Sequence, residues 1–111
     1  MLDTTPLTAA VDRFADRLRS APRSRLQRGA AAEALELARE LSVRAQRLEA
    51  AHGGTPAGEP RLMPDAGVFV VADQLTVAAG DLAEALRTAP SAVELDEAVR
   101  SVGRAVARAK L

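Results

Sequence analysis

Two stretches of this chain are close copies of one another. Residues 7–22 read LTAAVDRFADRLRSAP and residues 75–90 read LTVAAGDLAEALRTAP, with eight of the sixteen aligned positions identical. Each copy ends on a proline, Pro22 or Pro90, and a proline pushes the residue before it out of helical backbone. Both copies therefore describe a helix and its exit into a tight corner, and each half of the chain reads as an αα-hairpin. Two origins give this pattern: a duplication, which implies approximate internal two-fold symmetry, or convergent corner chemistry in a chain rich in Ala, Leu and Arg. Both place the same corners.

The residues available for a core narrow the fold further. At 111 residues there is room for one domain of ordinary size and no second core. Phe14 and Phe69 are the only aromatic residues, so the interior is filled by Leu, Val and Ala. Closely packed helices use such residues better than a sandwich or barrel does.

Four helices account for the chain. Leu7, Val11, Phe14 and Leu18 follow a four-three-four spacing and line one face of a first helix. Thr5 and Pro6 supply its N-cap and first-turn proline, and it ends near Ser20. Ser24 and Gln27 match a capping box that opens the second helix. Its apolar positions include Leu35, Ala38, Leu41, Ala45 and Leu48, and Glu40 and Arg44 pair on its flank. It closes at His52, where Gly53 takes the left-handed conformation.

Residues 53–64 hold three glycines and three prolines and form the one real loop. A third helix is predicted from about Asp65, with Val68, Val71, Leu75, Ala78 and Leu82 on its buried face. Ser91 and Glu94 repeat the capping box, and a fourth helix carries Leu95, Val99, Val102 and Val106. The predicted fold is an all-α, four-helix up-down bundle of two αα-hairpins, 6–52 and 65–110, in a single domain. Its two corners then share one end, and His52 lies at the other.

Several chemistries find no residues to carry them. There is no Cys, which removes disulfides and thiolate metal sites. His52 is the only histidine, and its place at a helix C-terminus gives it an ordinary role beside the last carbonyls. Ser24 and Ser91, read as caps at the far end from His52, do not form a Ser-His-Asp set. The Glu-x-x-His pairs of di-iron bundles and the glycine-rich phosphate loops are absent. The reading is therefore of a protein that is not an enzyme, with no catalytic residue, no cofactor and no metal. The start of the chain shows no secretory signal, and its longest apolar run, residues 66–79, falls short of a membrane span. Cytoplasmic is the default expectation. Arg outnumbers Lys by fourteen to one and alanine is the commonest residue, an actinobacterial-like composition of the kind GC-rich genomes produce.

Charge is balanced overall but unevenly distributed. Residues 65–99 carry seven acids against one base, Arg87. Residues 1–28 carry six arginines against three aspartates. Of these, Arg23, Arg25 and Arg28 stand at the start of the second helix, where its dipole disfavours them. With both corners at one end, Asp81, Glu84, Glu94 and Glu97 are the expected counter-charges. An acidic ligand or nucleic acid held by Arg19, Arg23, Arg25 and Arg28 is the alternative reading. Direct DNA recognition is argued against: a helix-turn-helix laid over residues 82–99 puts Glu94, Asp96 and Glu97 at the start of the recognition helix, facing phosphates. Arg100, Arg104, Arg108 and Lys110 at the end of the fourth helix read as partners of its dipole.

One apolar feature is left over. Phe69, Val70 and Val77 fall beside or outside the buried seam of the third helix, as a contact surface would. The leading expectation is a non-enzymatic protein acting through protein–protein contact, as a homodimer that uses these three residues.

Overall fold

The computed structural model describes residues 1–56 and 58–111, and it is all-helical among those residues. Four long helices pack together: α1, Thr5–Ser20; α2, Ala31–His52; α3, Val71–Thr88; and α4, Ala92–Ala109. The predicted seams are the real ones. Leu7, Val11, Phe14 and Leu18 of α1, Leu41 of α2, Leu75, Leu82 and Leu86 of α3, and Val102 of α4 are all at most 2% exposed. Alanines fill the spaces between them: Ala34, Ala38, Ala78, Ala98 and Ala105 are buried, and their small side chains let the helix backbones approach closely.

The order of the helices around the core differs from the expected one. Arg19 at the end of α1 reaches Asp73 at the start of α3, and Arg87 at the end of α3 reaches Thr4 just before α1, so these two helices run antiparallel. Arg44 of α2 bonds Glu94 and Glu97 at the start of α4, and Glu33 bonds Arg108 at its end. Those two helices are antiparallel as well. By contrast α2 and α3 are parallel: Leu35 and Arg39 share a cleft with Val71 and Gln74, and His52 shares a groove with Thr88. α3 packs most extensively on α2 and next on α1, while α1 and α2, and likewise α3 and α4, scarcely meet.

The up-down-up-down order is therefore corrected to up-down-down-up, and each helix packs on helices of the other half instead of on its own hairpin partner. The connection explains why. From Gly53 to Val70 the chain has eighteen residues, with a reach of about 60 Å when extended; the 22 residues of α2 span only about 33 Å. The connection can thus return along the whole bundle and start α3 at the same end as α2.

It does so tied down at each stage. Gln46 accepts from Arg61 N at 2.9 Å and donates to Arg61 O at 2.8 Å, as a neighbouring strand would. Arg39 Nε donates to Met63 O at 2.7 Å and Gln74 Nε2 to Pro64 O at 2.8 Å. The expected start of α3 at Asp65 is corrected to Val71. Asp65 Oδ1 accepts from Gly67 N, Gly67 has φ +100°, and Gly67 O accepts from Val70 N, so residues 65–70 form turns. The apolar spacing runs on through them because Val68 still packs on the core.

Three local expectations about helix ends are also corrected. Thr4, not Thr5, holds the cap position of α1 and makes no side-chain cap bond, while Asp3 Oδ1 just before it accepts from Thr5 N at 3.0 Å. Ser24 caps nothing: helical backbone already begins at Arg23, with Pro22 in the cap position and no side-chain cap bond. That turn, Arg23–Arg25, continues into a π-helical segment, Leu26–Ala30, kinked at Gly29 with φ +148°, before α2 proper. At the far end of α2 the left-handed residue is Gly54 (φ +72°), whereas Gly53 stays right-handed. Ser91 does cap α4, accepting from Glu94 N at 3.1 Å.

Candidate functional site

Because the bundle runs up-down-down-up, the two proline corners lie at opposite ends. Pro22 sits beside the starts of α2 and α3 and the end of α4; Pro90 sits beside the ends of α2 and α3. The expected meeting of the corner arginines with Asp81, Glu84, Glu94 and Glu97 is therefore corrected. Glu94 and Glu97 instead hold Arg44, at 2.6 and 3.1 Å, together with Glu40 at 3.0 Å. Burial pulls the Arg44 guanidinium down, but hydrogen bonds to Glu94, Glu40 and Glu97 outweigh it and raise the group above its ordinary value.

Of the four corner arginines, Arg19 is taken up by Asp73 at 2.8 Å, with Asp16 at 3.5 Å. The hydrogen bond to Asp73 raises it above the ordinary arginine value. Arg23 lies over the Phe69 ring, 5.6 Å from its centroid, a cation–π contact that joins the basic corner to the apolar patch. Arg25 and Arg28 are exposed, and neither is in an ion pair among the described residues.

The end of α4 brings further positive charge to the same place. Arg25, Arg28, Arg108 and Lys110 line one open cleft of about 440 Å³, floored by Gly29, Ala30 and Ala109. Glu33 is the counter-charge there, bonded to Arg108 at 2.9 Å. That bond raises Arg108 above its ordinary value. Close by, Arg17 donates to the backbone oxygen of Leu111. The sequence displays the basic run at residues 100–110 but not its meeting with residues 25–28, which depends on α4 running back to the first corner.

The apolar residues singled out from the sequence are exposed: Phe69 68%, Val70 41% and Val77 56%. Val70, Val77 and Glu84 recur at seven-residue intervals and so lie on one stripe of α3.

His52 is exposed and borders a groove with Glu49, Glu84 and Thr88. Ser24 lies at the opposite end, as expected. Ser91 does not: it follows the corner that ends beside His52, so its expected placement is corrected, and its hydroxyl is engaged as the cap. Among the described residues no three His, Asp or Glu side chains are grouped to hold a metal ion, and no helix is long and apolar enough to cross a membrane. A cleft of about 520 Å³ opens between the start of α2 and the returning connection, lined by Leu26, Leu35, Val68, Val71 and Gln74. Gln74 Oε1 is buried without a hydrogen-bond partner.

These features define a class: a four-helix bundle with one long crossover, a basic cleft at one end, and exposed apolar residues on α3 and the turn that leads into it. The chain matches no protein-family model, no curated protein and no solved structure.

Proposed function

We propose that the protein is a non-enzymatic helical bundle that acts through protein contact, as a homodimer formed by the outer face of α3. The observation that carries this reading is the exposure of Phe69 and Val70, on the turn that leads into α3, together with Val77 within the helix. Single exposed apolar residues are ordinary; several on one stripe mark a contact surface.

The arrangement of charge suits a second copy. A two-fold contact centred on Val77 sets α3 antiparallel to its mate and brings residues 70 and 84 of opposite copies together, since each lies seven positions from the centre. Arg23, seated on Phe69, then faces the end of the partner helix that carries Asp81 and Glu84. By the two-fold, this meeting of Arg23 with Asp81 and Glu84 occurs at both ends of the contact.

The test is the mass in solution by size-exclusion chromatography with light scattering, at low and high salt. The expected result is a dimer that persists in salt and that Val77→Lys converts to monomer with an unchanged circular dichroism spectrum. A wild-type monomer at concentrations on the order of 100 μM, which sets an association free energy weaker than about −5.5 kcal/mol, would remove the reading.

A further inference from the structure

The cleft at the Pro22 end is a meeting of charges that the fold does not need. Arg25 and Arg28 stand in the first turns of a helical segment, where the dipole disfavours cations, and neither forms an ion pair among the described residues. The end of α4 adds Arg108 and Lys110 on the facing wall; the one carboxylate bonded to any of the four cations among the described residues is Glu33, which holds Arg108, while Glu36 and Glu40 act on Arg108 from further along α2. Mutual repulsion among exposed cations works against this cluster unless something negative joins it. The backbone is irregular at the same place. Gly29 breaks the helix with φ +148°, and no atom lies within 4 Å of where a side chain on Gly29 would begin, so the floor of the cleft is open.

We infer that this cleft binds a phosphoryl dianion, with the Arg25, Arg28 and Arg108 guanidinium groups donating paired hydrogen bonds to its oxygens and Lys110 acting as a point charge. The shared chemistry is a phosphate group with at least two free oxygens, on a soluble metabolite or on a lipid headgroup. The site lies apart from Val77 and does not depend on self-association.

The experiment is titration of the full-length protein with inorganic pyrophosphate at low ionic strength, followed by calorimetry and by amide shifts of residues 25–30 and 107–111. A parallel arm uses phosphatidylcholine vesicles with and without one-fifth phosphatidic acid. Saturable pyrophosphate binding is expected, centred on those amides and weakened about tenfold or more in Arg25→Gln/Arg28→Gln, since bonds between charged groups carry most of the affinity. Neither side chain makes a hydrogen bond within the fold among the described residues, so the pair of changes removes charge without removing support. Arg47→Gln/Arg100→Gln, with the same change in net charge elsewhere, is expected to bind as the wild type does. Vesicle binding that needs phosphatidic acid and is lost in Arg25→Gln/Arg28→Gln assigns the phosphate to a lipid; pyrophosphate binding alone assigns it to a soluble ligand. Absence of saturable binding in both arms, or equal weakening in the two double variants, would overturn the inference.

Discussion

Arg19, in the last turn of α1, donates to Asp73 in the first turns of α3 at 2.8 Å. Its counterpart in the sequence repeat, Arg87, makes the reciprocal reach from the last turn of α3 to Thr4 at the start of α1, at 3.4 Å. Each half of the chain therefore uses the same arginine to hold the beginning of the other half.

The Arg19–Asp73 contact sets the expected behaviour of charge reversals. Arg19→Asp brings two like charges together beside Asp16 and is expected to lower the melting temperature. Adding Asp73→Arg restores a pair of opposite sign and recovers most of the loss. Because both groups are exposed, the effect is modest and shrinks as salt screens it. Thermal unfolding of the two singles and the double, at two ionic strengths, measures the coupling.

Arg44 is the better-protected charge, with a side chain 19% exposed and three carboxylates around it. Arg44→Met leaves Glu40, Glu94 and Glu97 facing one another and is expected to cost about 1–3 kcal/mol of stability, read from urea unfolding. Glu97→Gln, which removes one more exposed partner, is expected to cost less than about 1 kcal/mol. The guanidinium is raised above its ordinary value, and a raised basic group contributes stability that is fully present below its unfolded value and is lost only as pH rises through the folded one. Its contribution to stability is thus fully present through neutral pH.

Glycines give opposite signs according to backbone. Gly29→Ala meets no atom but must hold φ +148°, so it is expected to destabilise by about 1–2 kcal/mol. Gly80→Ala and Gly103→Ala lie inside α3 and α4 with open space around them and ordinary helical backbone. Each is expected to stabilise by about 0.5–1 kcal/mol. Denaturant midpoints of the three single variants decide the matter.

The sequence is informative about faces and poor about directions. Leu7, Val11, Phe14 and Leu18 reveal their helix because burial demands a period of 3.6 residues, and the same holds for Leu75 and Leu82. The crossover has no such signature. An eighteen-residue connection permits either a short return or a full-length one, and the choice is made by hydrogen bonds from Gln46, Arg39 and Gln74 to backbone groups of residues 61–64, which no periodicity reports. Val68 misleads for a related reason: it is half-buried against the core yet stands on a turn, so it keeps the helical spacing without the helix. The exposure of Val77 follows from that spacing, whereas Phe69 and Val70 are exposed on the turn before α3. The basic cleft does not, because Arg25 and Arg108 become neighbours only once the order of the helices is known.

That order governs how the chain acquires its structure. Arg19 and Asp73 lie 54 positions apart, and α1 packs on helices that are synthesised after residue 70. A nascent chain that has emerged only as far as the connection holds two helices with almost no mutual contact and an uncovered apolar stripe on each. Productive collapse waits for α3, the helix that packs most extensively on both. Loop closure over such distances makes this helical protein a slower folder than a sequential hairpin bundle of the same size. Until α3 leaves the ribosome, the exposed leucines of α1 and α2 are the part of the molecule a chaperone would bind.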